Sequence, residues 1–474
     1  MACYEYPYFT ASQCSSLSTL FLLTRDDTEL TEPRWQCSVI DRCLCYPQET
    51  GYKDSCGDTP LHRVCQRSNV SNVYKVDAVK TLLQVNKGLA IVQNSWGETP
   101  LHCVLNTAND HTDAGNSSRG NRIAEEKIVR LILQAQMSLG RTALLKKTYL
   151  GRTALHEACC RSDQDNNGPP NNTTGNHMND TQQHESLVQI LVQAHVRAGL
   201  SVNGAQNDLG DTPLICALKY RRASSRLVSL LLEYDCGSVH TRNKAGWDAI
   251  RVFFSMAEEI CAARLRSLSS NAILIPRDEY HDLREQSCCS AEELEMMQIC
   301  NVLFHARSFG HIADASTTIH PELLHLAVSL DCPPRLLRVL IASCPNQLVL
   351  GRKCDGKTPL AIAASTPGLV HGCNAIAVMV DACTEAAGIP DRDGHLPLQL
   401  ALMNVLDRKD VDAWRLIMNA EIRAVSTRDK VTKLYPFVTA ALSTCRDEAN
   451  QVEIIWELLM AAPECLQRIC HLLR

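Results

Sequence analysis

The stretch "GDTPLHRVC", Gly57 to Cys65, decides the fold, because the chain writes it again as "GETPLHCVL" from Gly97 and as "GRTALHEAC" from Gly151. Each letter has a local task. A glycine two residues before the threonine supplies a turn with positive φ at no steric penalty. The threonine hydroxyl is suited to cap a helix N-terminus, and proline to the first helical position. Leu61, Val64 and Cys65 follow at the spacing of one buried face of a short helix.

Looser copies extend the pattern. "TPLI" begins at Thr212, "TPLA" at Thr358 and "LPLQ" at Leu396, while "DAIRV" from Asp248, "ELLHLAV" from Glu322 and "YPFVTAAL" from Tyr435 bring the count to nine. The steps 212 to 248, 322 to 358, 358 to 396 and 396 to 435 are 36, 36, 38 and 39 residues. A motif recurring at that interval is a supersecondary unit. Gly57, Gly97, Gly151, Gly210, Gly246, Gly356 and Gly394 hold the same place in their copies. A second apolar helix follows each copy, as in "VDAVKTLL" (76–83) or "RLLRVLIA" (335–342), and a polar link such as "NSWGETP" leads to the next. The unit reads turn, helix, helix, turn.

This pattern resembles the ankyrin repeat, whose signature G-x-T-P-L-H-x-A is closely met at 57–64, 97–104 and 151–158. Ile215 and Ala361 later replace the histidine and Leu396 the threonine, and the likeness covers roughly 53–474. It implies an all-α, ankyrin-type helical solenoid with short β-hairpin fingers. It also implies that His62, His102, His156 and His325 bond nearby polar groups and link adjacent turns, which assigns them to architecture and not to a metal. Fingers and the exposed side of each first helix become the expected contact surface.

Three regions depart from a plain array, giving a division into an N-terminal helical cap (1–52), a stack of copies one to five (53–248), an enlarged or degenerate repeat (249–320) and a stack of copies six to nine (321–474). In the cap, Trp35, Val39, Ile40 and Leu44 are expected to face inward. The segments 106–121 and 161–183 are rich in Asn, Gly, Asp, Ser and Thr and too poor in apolar groups to order themselves. Asp163, His177 and His184, in or beside the second, are too scattered for a zinc site. In the enlarged repeat, 250–268 reads as an amphipathic helix. Ser290 with Glu293 reads as a capping box opening another, to about His305. Cys288-Cys289 reads as neutral surface.

Composition narrows the function. A net charge of −5 without a basic stripe argues against nucleic acid. "MACYEYPYFT" lacks the pattern of a signal peptide, and no run of 18 apolar residues predicts a membrane span. The 24 cysteines include no CxxC, and Cys65, Cys103, Cys159 and Cys216 stand where a small apolar group is wanted, as free thiols in a reducing compartment would. The sequons at Asn116, Asn172 and Asn179 then carry no glycan. No phosphate loop, H-E-x-x-H or G-x-S-x-G is present. The reading is a non-catalytic protein–protein interaction scaffold, cofactor-free and metal-free, monomeric, cytoplasmic with the nucleus left open. The link residues Trp96, Tyr149, Arg242, Lys244, Arg352, Lys353 and Arg392 are its candidate partner contacts. The alternative is a substrate-receptor subunit of an enzyme complex such as a ubiquitin ligase, docking through 1–52.

Overall fold

The computed structural model describes residues 19–24, 31–67, 70–107, 119–160, 177–219, 223–271, 291–312, 318–403, 413–443 and 448–465. Asp163, Asn116, Asn172, Cys288-Cys289 and Ser290 lie outside them, as do most of the two polar segments; the side chains of His177 and Asn179 do too. The chain divides into two compact units, Met1–Ala249 and Ile250–Arg474.

In the first unit the short helices Pro60–Gln66, Pro100–Thr107, Ala154–Cys160 and Pro213–Lys219 pack each on the next. The second helices Glu32–Cys45, Asn72–Val85, Arg119–Leu139, His177–Arg197 and Ser225–Glu233 pile up beside them in the same order. Leu61, Leu101, Leu155 and Leu214, the signature leucines, are all buried, and so are Cys65, Cys103, Cys159 and Cys216. In the second unit Leu323–Ser329, Pro359–Ser365, Pro397–Met403 and Pro436–Leu442 form the row of first helices, and Ala291–Phe309, Pro334–Ser343, Gly372–Ala382 and Ala413–Ala420 the row of second ones. The amphipathic pattern at 250–268 is part of a longer helix, Ala249–Asn271.

Two expectations change. The four residues predicted to face inward from the first segment do not share a face. Trp35, Val39 and Cys43 are buried at strict four-residue spacing, Ile40 is half-buried, and Leu44 is 58% exposed. Leu44 is one residue, about 100° of helix, past Cys43. The buried face is anchored by the Trp35 indole, which donates to the Leu23 carbonyl at 2.7 Å, with the Arg67 guanidinium 5.1 Å from its ring.

The links are also not β-hairpins: the described residues contain no strand. Most links are closed turns of the Asx kind, in which one side chain does part of the pairing that a strand partner would otherwise do. Asn94 Oδ1 accepts from the amides of Trp96 and Glu98 at 3.0 and 2.9 Å, and Asn207 and Asn243 repeat the arrangement. A 3₁₀ turn precedes most of these links, as at Lys87–Ile91 with Leu89 and Ala90 buried. That element extends the turn–helix–helix–turn reading.

Candidate functional site: the turn tips of the repeats

What the opening phrase does is visible at its third and sixth letters. The Thr59 amide donates to His62 Nδ1 at 3.1 Å, with the Thr59 hydroxyl 2.8 Å from the same atom. An amide can only donate, so Nδ1 carries the lone pair and Nε2 the proton. Nε2 then donates to the Glu98 carbonyl of the following repeat at 3.1 Å. His156 is held alike by Thr153, at 3.2 Å, and reaches the Asp211 carbonyl at 3.1 Å. His325 reaches the Leu350 carbonyl at 2.8 Å. The ring caps its own helix and ties it to the next turn. This is the role that the resemblance to the ankyrin repeat implies for the ring.

Burial in these repeats disfavours the charged imidazole, pushing His62, His102 and His156 down to about 4, so the rings are neutral at physiological pH. Where the histidine is missing, the cap changes hands: the Thr212 and Thr358 hydroxyls accept directly from the amides of Ile215 and Ala361, at 3.3 and 3.2 Å. In the "LPLQ" copy Gln399 does both jobs of the ring. Its Oε1 accepts from the Leu396 amide at 2.8 Å and its Nε2 donates to the Thr427 carbonyl at 3.3 Å.

No protein-family model matches the chain, and no curated protein matches it in sequence. Among solved structures it is similar to the ankyrin repeat domain of Bcl-3, titled a unique member of the IkappaB protein family, at 16% identity over 51% of this chain and 85% of that one, with a TM-score of 0.32. It is also similar to EF0377, an ankyrin repeat protein (16% identity, 51% and 96% covered, TM-score 0.30). A third is the ankyrin repeat domain of human ASB11 (15%, 50% and 91%, TM-score 0.23). Such likenesses concern fold alone.

The turn tips of the first unit form a continuous line. Ser95 N donates to the Cys56 carbonyl at 2.8 Å, Tyr149 N to Trp96 at 2.8 Å, Asp208 N to Leu150 at 3.2 Å and Lys244 N to Leu209 at 3.0 Å. The approach is close enough to require glycine twice over. Gly210 has a φ of 77°, and a Cβ there would meet the Lys244 amide at 2.7 Å. The residue just before each turn glycine sits at the summit. In this unit it is apolar every time: Cys56, Trp96, Leu150, Leu209, Ala245. Leu209 is 62% exposed and Leu150 41%, with Tyr149 beside it at 55%.

The seven predicted contacts therefore fall into groups. Trp96 and Tyr149 are joined by a ladder bond, Tyr149 open and Trp96 half-buried. Arg242 and Lys244 are exposed on the last turn of the line, and neither side chain has a partner among the described residues. In the second unit Lys353 is exposed, whereas Arg352 and Arg392 serve the architecture. Arg352 pairs with Asp355, Nε to Oδ1 at 3.1 Å, and this pushes the carboxyl down to about 2. Arg392 clasps the preceding turn, donating to the Cys354 and Lys353 carbonyls at 3.0 and 2.9 Å. Leu150 and Leu209 were missed by the sequence reading. The signal was the letter before each turn glycine, where a polar residue is the ordinary choice, as Asp355 and Asp393 show in the second unit.

No group of three or more metal-binding side chains occurs among the described residues. His184 is occupied by the Ala158 carbonyl at 2.6 Å. No described helix is long and apolar enough to cross a membrane.

Proposed function

We propose that the chain is a non-catalytic interaction scaffold that binds a protein partner along the turn tips of its first unit. The observation that carries this reading is the unbroken apolar row Cys56, Trp96, Leu150, Leu209 and Ala245, closed at one end by Arg242 and Lys244. Large aliphatic side chains at the summit of a turn, left 41% and 62% exposed at Leu150 and Leu209, add little to the core. An apolar stripe with a charged rim is the composition of a recognition surface. Trp96 and Tyr149 supply the aromatic anchors on which interface energy concentrates.

Leu150→Glu with Leu209→Glu tests it without touching the core. The variant is expected to keep the wild-type melting temperature and circular dichroism while losing its quantitatively captured partners by about tenfold or more. An unchanged partner set would refute the assignment. The adaptor reading differs in its docking element: deleting 1–52 would then remove an enzyme scaffold from the captured set and leave other partners. That segment commits Trp35, Val39 and Cys43 to its own unit and leaves Leu44 and Tyr46 exposed. The scaffold reading places location in the cytoplasm or nucleus and needs one copy of the chain.

A further inference from the structure

We infer that the second unit carries an independent docking cleft for an acidic peptide segment of a protein partner. The cleft encloses about 350 Å³ between the starts of the neighbouring helices Pro334–Ser343 and Gly372–Ala382, with Glu258 on a third side. Each of these helices begins where the preceding first helix has ended, so the cleft lies at the helix ends remote from the turns.

Its chemistry is sharply divided. Pro333, Ala377 and Val378 give an apolar floor, and Val370, 76% exposed, immediately precedes the lining residue His371 in the chain. Val370 is fixed in that unfavourable position: its amide and that of His371 both donate to the Asp331 carboxylate at 2.9 Å. Above the floor stand Arg335 and Arg338, one helical turn apart, and neither has a partner among the described residues. His371 lies opposite, its Nε2 3.9 Å from Glu258 Oε2, too far for a hydrogen bond. Among the described residues that line the cleft Glu258 is the one acid, and it is half in solvent.

Arg335 and Arg338 are three residues, about 4.5 Å of helix rise, apart, so their guanidiniums can meet carboxylates three residues apart on a helix or two residues apart in an extended segment. The forked donors of arginine favour carboxylate geometry. Two helix N-termini add positive potential from the same side. The apolar floor, with the exposed Val370 next to His371 in the chain, selects a segment in which acidic and aliphatic residues alternate. A nucleic acid would need a longer cationic track than this pair.

The test is fluorescence anisotropy with a short fluorescein-labelled Glu–Leu peptide and its Lys–Leu counterpart, titrated with the full chain. The Glu–Leu peptide is expected to bind and the Lys–Leu peptide not to. Arg335→Glu with Arg338→Glu should weaken binding by about tenfold or more, and Glu258→Gln should tighten it about twofold. Should the reversal disturb the melting temperature, Arg335→Gln with Arg338→Gln gives the same reading with a smaller loss. Leu150→Glu with Leu209→Glu should leave this binding unchanged, which separates the cleft from the turn-tip surface. Equal affinity of wild type and both arginine variants would overturn the proposal. So would a wild-type preference for inorganic phosphate or a single-stranded oligonucleotide over the peptide.

Discussion

Between pH 6.5 and pH 4 the first unit should lose on the order of 3 kcal/mol of stability for each of His62, His102 and His156, and a chain carrying glutamine at all three should keep most of it. The sign follows from where protons bind. In the unfolded chain these rings take up a proton near 6.5; in the folded chain burial postpones this to about 4. Within that window the unfolded state holds more protons, so stability falls as the pH falls and is level above about 7. Buried Asp58 and half-buried Glu98 and Glu157 are shifted up, chiefly by desolvation, and act in the opposite sense nearer the carboxylate range. The upper part of the window therefore belongs to the rings. Glutamine is the informative replacement because Gln399 already performs both hydrogen bonds without a titrating group. Urea unfolding at pH 7 and pH 5, followed by circular dichroism, reads the effect as a shift in midpoint. An identical pH dependence in wild type and variant would contradict it.

Leu214→Ala should destabilise the first unit by about 2–5 kcal/mol, and Leu209→Ala, five residues earlier, by less than about 0.5 kcal/mol. Leu214 is fully buried among the stacked first helices, and its removal leaves a cavity lined by neighbours that cannot collapse without disturbing two repeats. Leu209 stands at a turn summit with its side chain mostly in water. The same pair should reverse in a partner-binding assay, where Leu209 matters and Leu214 acts only through folding. Comparable losses of stability from the two would mean that the summit leucine is packed and that the apolar row has a structural cause.

The parts legible in the sequence were those set by backbone geometry. Gly57, Gly97, Gly151, Gly210, Gly246, Gly356 and Gly394, singled out by spacing alone, all have positive φ. The copy at Tyr435 shows the limit of that rule: Lys433 takes the glycine's place with a φ of 62°. Features depending on contacts between repeats were harder to read. No single copy reveals that Gln399 stands in for a histidine, because its second bond ends 28 residues away. The β-hairpin form of the links is not shown: in most of them an Asx side chain closes the turn internally, and in the first unit one backbone bond passes from each turn tip to its neighbour. Arg352 and Arg392 looked like free cations because their partners are a carboxylate and carbonyls that the fold alone brings within reach.

The central claim is that the sixth letter of the phrase bridges two repeats, and long-range proton–nitrogen NMR of the imidazole rings tests it most directly. The account predicts His62 and His156 in the Nε2–H form, with bare Nδ1 and no titration above about pH 5. Rings protonated on Nδ1, or titrating near 6.5, would contradict it.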